Sequence, residues 1–179
     1  EYTYLRPDDE RYLDVVRSVL SGHPRHNRWI NHQNFTHVAH RRIVKEIRAH
    51  GWLGWMRRHF PETPLIFLIR HPVMVIASQQ RMGWKDHLGQ LLEQPHLVED
   101  HLQPYLDVLQ SLETPWQRMV GHWCVDNLVA FRTVGAELAT LVMYEEFVID
   151  HERASQPLLQ ALGRSMDAAT VAEAVARPS

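Results

Sequence analysis

The sequence contains only one cysteine, Cys124, among its 179 residues. A single thiol excludes an internal disulfide, and so sparse a use of cysteine fits a reducing compartment such as the cytoplasm. Cys124 lies within an apolar stretch, so we expect it to be a buried free thiol. Because no disulfide can staple the chain, its stability must come from one sizeable hydrophobic core, which a chain of this length can bury.

Long hydrophobic runs and an excess of charge of one sign are also missing. No stretch approaches the roughly 18 consecutive apolar residues of a transmembrane helix. The opening segment EYTYLRPDDE has neither the basic nor the apolar region of a signal peptide. The formal net charge of -2 gives no overall attraction to nucleic acid or to an anionic membrane. We therefore expect a soluble, cytoplasmic protein with no nucleic-acid partner.

Metal-binding patterns are absent too, although the sequence has 13 histidines. His32, His37 and His40 lie close together in the sequence, but their spacing matches no standard zinc motif. There is no HExxH sequence, and no cysteine pair supports a site. We expect no metal.

Short apolar runs alternate with helical patterns along the chain. Five consecutive apolar residues, Leu65–Ile69, are followed by Arg70, and this run predicts a strand covered on both faces. Pro72 suits the first turn of a helix that runs to about Gln80, because its missing N–H would have no partner there. A second run, Leu138–Met143, predicts another buried strand.

Further elements are predicted on either side of these runs. Asp8 and Asp9 precede apolar positions at helical spacing, which predicts a capped helix that ends at Gly22. A short β-branched run predicts another strand over residues 42–47. Helical patterns cover residues 52–60, 86–92, 97–112 and 116–134 and the tail from residue 153. Strands that alternate with helices predict one domain, residues 1–179, with a three-layer α/β/α fold and a mostly parallel central sheet.

One segment of this pattern points to chemistry. Arg70 stands just past the carboxyl end of its strand, where open parallel sheets bind ligands. A helix that begins near Pro72 adds free N–H groups and a positive dipole end, and the guanidinium of Arg70 offers two parallel donors. Ser78 follows about two helical turns later and returns its hydroxyl to a similar face. The segment therefore predicts a phosphate-binding site.

The stretch PLIFLIRHPVMVIASQQRMGW resembles the second cofactor-binding segment of the sulfotransferases. In that family a strand ends in Arg, a Pro or similar residue opens a helix, and a Ser follows eight residues after the Arg. The resemblance implies the family's P-loop NTPase-like fold. It also implies that Arg70 and Ser78 hold the 3′-phosphate of the co-substrate 3′-phosphoadenosine 5′-phosphosulfate.

Three further stretches are similar to sulfotransferases, and together the likeness covers about residues 42–163. RRIVKEIRAHGWLGWMRRHFPETPLIFLIRHP is similar to the strand, helix and strand that precede the Arg in bacterial members, and GHWCVDNLVAFR resembles a later Trp-containing helix. LVMYEEFVIDHERASQPLLQALG resembles a strand and a Tyr-Glu-Asp-Leu type of turn, with Glu146 and Phe147 in place of the Asp and Leu. The resemblance implies that Tyr144 lies beside the nucleotide.

Sulfuryl transfer needs a base for the acceptor's proton and a cation near the leaving phosphate. Lys45 and Glu46 lie on a segment that matches the family's strand beside the site, so they are the candidate catalytic residues. Alternation along a strand sends their side chains to opposite faces, so we expect at most one of them in the cleft. The alternative for both is a solvated or ion-paired strand end.

The sequence departs from the family in one respect. The family's first strand and its Lys-bearing loop cradle the 5′-phosphosulfate, and no Gly-rich loop with a Lys occurs in this sequence. That segment should precede residue 1, so we expect a fragment that is inactive by itself; a degenerate relative is the alternative. An Arg-His pair also occurs in histidine phosphatases, but there a Gly follows where this chain has Pro72.

The resemblance therefore implies sulfuryl transfer from 3′-phosphoadenosine 5′-phosphosulfate to a hydroxyl or amine. The acceptor is a small molecule, a lipid or a carbohydrate. The alternative function is a non-catalytic module that binds a nucleotide or a partner chain and retains only the 3′-phosphate site.

Overall fold

The computed structural model describes residues 2–23, 43–134 and 140–163. These residues form helices around a small parallel sheet, a mixed α/β architecture. The helices are α1 (Leu13–Ser21), α2 (Leu53–His59), α3 (Pro72–Arg81), α4 (Leu88–Leu92), α5 (Pro95–Leu97), α6 (Leu106–Gln110), α7 (Pro115–Val134), α8 (Tyr144–Ile149) and α9 (His151–Ala161), and the strands are β1 (Ile66–Ile69) and β2 (Thr140–Met143). Short 3₁₀ turns precede α2 and α6, and a π turn follows α5.

Helix α1 ends as predicted but begins later than predicted. Gly22 takes a left-handed conformation with φ of 77°, and the N–H groups of Gly22 and His23 bond back to the last turn. Asp9 does not cap the helix, because its carboxylate pairs with Arg11 and accepts that residue's backbone N–H instead. This local turn uses the acceptor that a helix cap would need, so α1 begins only at Leu13.

Strands β1 and β2 pair in parallel, as their apolar runs predict. The register joins Ile66 to Thr140 and Ile69 to Met143, so both strands end at the same edge of the sheet. The prediction that both faces of β1 are covered is wrong. Ile69 is buried, whereas Leu68, which points to the other face, is 55% exposed.

The strand predicted over residues 42–47 is wrong for the residues that the structure describes there. Residues 43–46 have no regular structure, a bend follows, and all these side chains are exposed. The carboxylate of Glu46 accepts the backbone N–H groups of Ile47 and Arg48 at 2.9 and 3.0 Å. Donors used in such a local turn cannot join a strand ladder. Arg42 lies outside the described residues.

Helix α7 organises the packing of the described residues. It contacts α2, α3 and α4, and its Phe131 ring lies edge-on to Phe67 of β1, with 5.6 Å between the ring centroids. Gly121 lets a neighbouring loop approach, since a Cβ there would lie 2.6 Å from Leu112 Cδ1. The principal core cluster contains Tyr4, Leu88, Leu91, Leu97, Leu102, Leu109, Val125 and Val129.

The expectation that Cys124 is buried is wrong. Cys124 is exposed, while its neighbour Val125 is almost completely buried. Adjacent positions on a helix point about 100° apart, so one residue faces the core and the next faces out. Among the described residues, no helix combines the length and the apolar character needed to cross a bilayer.

Candidate functional site

Arg70 and Tyr144 meet at the carboxyl edge of the sheet. Each follows directly on a strand, and the preceding residues, Ile69 and Met143, are paired in the parallel ladder. The guanidinium carbon of Arg70 lies over the Tyr144 ring, 4.5 Å from its centroid. This is the geometry of a cation–π contact. The fold thus brings together two of the residues that the sequence predicts to bind the co-substrate.

The guanidinium of Arg70 retains free donor capacity. Its Nε is buried and has no hydrogen-bond partner, and no carboxylate of the described residues lies within 4.0 Å to form an ion pair with it. A buried donor without an acceptor costs free energy that a ligand oxygen would recover. The site is therefore suited to an anion.

The peptide unit that follows Arg70 is held on both sides. The indole Nε1–H of Trp123, on α7, donates to the carbonyl oxygen of Arg70 at 3.2 Å. The backbone N–H of His71 donates to Oε1 of Glu145, on α8, at 3.0 Å. This bond is the main cause that lowers the pKa of Glu145 below its usual value, with the charges of His71 and Arg70 adding to it. Neither Trp123 nor Glu145 was among the site residues predicted from the sequence, although Glu145 stands directly after Tyr144.

Ser78 lies on α3, whose first residue, Pro72, is placed as predicted. The rise of the helix puts Ser78 about 9 Å along the axis from Pro72. Its side chain is half-buried, and within the described part of the chain its hydroxyl makes no hydrogen bond. An anion that contacts both Arg70 and Ser78 must therefore lie along the side of α3 and not at its tip.

Lys45 and Glu46 lie in the exposed, irregular segment that replaces the predicted strand. The Glu46 carboxylate is used in the local turn described above, and no described contact joins either residue to Arg70, Ser78 or Tyr144. The structure therefore does not bring the candidate catalytic residues together with the candidate phosphate site. Their catalytic role stays a prediction.

A second polar cluster, which the sequence analysis missed, lies on another side of α7. Oδ2 of Asp126 is 3.5 Å from His50 Nδ1 and 3.3 Å from His122 Nε2. Both ring nitrogens are buried, and neither is aligned for a hydrogen bond. Burial is the main cause that lowers the pKa of His50, while the charge of Asp126 opposes the shift. The helical spacing of His122 and Asp126 is the only signal of this cluster in the sequence.

Among the described residues, no group of three or more His, Cys, Asp or Glu side chains is arranged to hold a metal ion. The histidines considered for zinc in the sequence, His32, His37 and His40, lie outside the described residues.

The chain belongs to the sulfotransferase family, since the model of that family matches residues 5–168. No curated protein and no solved structure matches the chain. The family match confirms the resemblance found in the sequence. It supports an enzyme of the transferase class, one that moves a sulfuryl group to an acceptor.

Proposed function

We propose that this protein transfers a sulfuryl group from 3′-phosphoadenosine 5′-phosphosulfate to a hydroxyl or amine of an acceptor. The acceptor is a small molecule, a lipid or a carbohydrate. Family membership supports sulfuryl transfer in general. The choice of this donor rests on the free guanidinium of Arg70, because the 3′-phosphate is the group that distinguishes this nucleotide from adenosine 5′-phosphosulfate.

Arg70 has the surroundings that a phosphate-binding arginine needs. Its guanidinium is stacked on Tyr144, which limits the orientations of the side chain, and its buried Nε lacks an acceptor. An arginine fork binds two phosphate oxygens with strong, charge-assisted hydrogen bonds.

Ser78 and Tyr144 complete the proposed nucleotide site. A phosphate that lies along α3 accepts a hydrogen bond from the Ser78 hydroxyl, which has no partner within the described residues. Tyr144, whose ring lies against the Arg70 guanidinium, is the proposed contact for the nucleoside. These roles define a site at the carboxyl edge of the sheet, where parallel sheets bind nucleotides.

In the proposed reaction the acceptor oxygen or nitrogen forms a bond to sulfur. The bond between sulfur and the bridging phosphate oxygen breaks, and the electron pair leaves with adenosine 3′,5′-bisphosphate. The acceptor proton passes to a base, and a cation stabilises the charge on the leaving phosphate. Lys45 and Glu46 are the two candidates for a catalytic residue, and we expect at most one of them to act in the cleft.

The direct test is calorimetric titration of the protein with adenosine 3′,5′-bisphosphate and with adenosine 5′-monophosphate. We expect the bisphosphate to bind at least tenfold more tightly, because only it offers a 3′-phosphate to Arg70. Equal affinities would contradict the proposed site. Preferential binding of the bisphosphate, without any transfer of labelled sulfate to phenolic, lipid or sugar acceptors in a form of the protein that carries the Lys-bearing loop, would favour the non-catalytic module instead.

A further inference from the structure

A single peptide unit, the one that joins Arg70 to His71, carries two hydrogen bonds from different elements. Its carbonyl oxygen accepts the indole N–H of Trp123 at 3.2 Å, and its N–H donates to the carboxylate of Glu145 at 3.0 Å. The two partners approach from α7 and α8, two different helices that both follow this peptide in the chain. Neither bond belongs to a helix or to the sheet ladder.

The bond to Glu145 also supplies a cap that α3 otherwise lacks. His71 is the N-cap residue of α3, and its side chain makes no capping hydrogen bond. In a capping box, a carboxylate within the helix accepts the N–H of the N-cap residue. Here the acceptor is Glu145 on another helix, α8, so a hydrogen bond joins the start of α3 to the start of α8.

The Arg70–His71 peptide lies in the turn from β1 into α3, and the Arg70 side chain projects from that turn. Rotation of the plane is coupled to ψ of Arg70 and to φ of His71, and both torsions set how the chain turns from β1 into α3. A hydrogen bond at each end opposes that rotation. The Glu145 carboxylate achieves this without an ion pair to Arg70 within 4.0 Å, so the guanidinium remains available to a ligand.

We infer that Trp123 and Glu145 are positioning residues that fix the Arg70–His71 peptide and thereby aim Arg70, over Tyr144, at the nucleotide phosphate. This inference rests on the proposed function, since it assigns the two residues to the same phosphate site. It adds a requirement that the resemblance to the family does not contain. The positioning depends on the hydrogen-bond acceptor of Glu145 more than on its charge.

The test compares three variants by calorimetric titration with adenosine 3′,5′-bisphosphate and adenosine 5′-monophosphate. Glu145→Ala and Trp123→Phe each remove one hydrogen bond from the peptide. We expect each to weaken binding of the bisphosphate by about 5- to 20-fold, because a misplaced Arg70 loses part of its charge-assisted hydrogen bonding to the phosphate. Binding of the monophosphate should change by less than about twofold, because Arg70 does not contact it. Glu145→Gln keeps an acceptor oxygen and should restore binding to within about threefold of the wild type.

Matched controls separate this role from general damage to the fold. Glu146→Ala changes an exposed neighbour on α8, and Trp116→Phe changes an exposed tryptophan on α7. Neither residue contacts the Arg70–His71 peptide in the described structure, so both variants should keep the wild-type preference for the bisphosphate. Thermal unfolding of every variant shows whether it is folded at the titration temperature.

The outcomes distinguish this inference from the proposed function. If Arg70→Ala loses the preference for the bisphosphate while Glu145→Ala and Trp123→Phe keep it, the positioning role is wrong and the phosphate site stands. If Arg70→Ala also keeps the preference, both are wrong. Equal weakening of both nucleotides, or a Glu145→Gln variant as weak as Glu145→Ala, overturns the positioning role as well.

Discussion

The guanidinium carbon of Arg70 lies 4.5 Å from the centre of the Tyr144 ring, although the two residues follow different strands and are far apart in the sequence. The contact arises because parallel strands end at a common edge. The Tyr144 ring shields one side of the Arg70 guanidinium from water, and another side of the guanidinium stays open to an anion. The first two predictions below depend on this relationship.

Arg70→Ala should weaken binding of adenosine 3′,5′-bisphosphate by at least about 30-fold. Removal of a charged partner from a hydrogen-bonded pair costs on the order of 2 to 5 kcal/mol, and about 1.4 kcal/mol corresponds to one decade in affinity. The measurement is calorimetric titration. Adenosine 5′-monophosphate is the control ligand and should lose far less affinity. Equal losses for both nucleotides would mean that Arg70 is a structural residue.

Ser78→Ala should have a smaller effect in the same titration. The substitution removes one hydroxyl, whose bond to a charged group contributes about 1 to 2 kcal/mol, so we expect a loss of roughly 5- to 30-fold. The variant should fold normally, because the hydroxyl has no hydrogen bond within the described residues. An unchanged affinity for the bisphosphate would show that the phosphate does not reach the second turn of α3.

One of the two variants Lys45→Ala and Glu46→Ala should lower turnover by roughly 10² or more, the range of general acid–base contributions. The other should behave as a change at the exposed surface, where both residues lie. The measurement is transfer of labelled sulfate at saturating donor, in a form of the protein that is active. If both variants keep wild-type turnover, the base is another residue.

The stability of the fold should decrease as the pH falls below about 6.5, the ordinary pKa of histidine. Burial holds the pKa of His50 below its ordinary value of 6.5, against the attraction of Asp126 and with a small repulsion from His122. His101 shifts in the same direction for the same main cause. The unfolded chain therefore binds protons that the folded chain does not, and linkage makes the free energy of unfolding fall as the pH drops below about 6.5.

Urea unfolding at several pH values checks this prediction. The free energy of unfolding of His50→Gln should depend less on pH in this window than that of the wild type. The carboxylates whose pKa is lowered in the fold, such as those of Asp9 and Asp100, lose their contribution only at lower pH, so they do not obscure the result. An identical pH dependence in the variant would show that His50 does not titrate differently on folding.

Features that depend on neighbours within a few residues were predictable from the sequence. The apolar run before Arg70, Pro72 at the first turn of α3 and Gly22 at the end of α1 each carry their own conformational preference, and the structure has all three as predicted. The β-branched pattern wrongly predicted a strand at residues 43–46. The structure has none there, because the Glu46 carboxylate accepts two nearby backbone N–H groups. Periodicity gives no information about such local hydrogen bonds.

The sequence by itself determined that a strand ends just before Arg70, that a helix follows, and that another strand ends just before Tyr144. Only the tertiary structure decided which residues surround Arg70. Trp123 on α7 and Glu145 on α8 form hydrogen bonds with its peptide. The contact between Asp126 and His50, elsewhere in the fold, likewise depends on tertiary packing. The physical reason is that a residue's own torsions set local structure, whereas the partner of a donor depends on how whole helices pack, which no short stretch of sequence encodes.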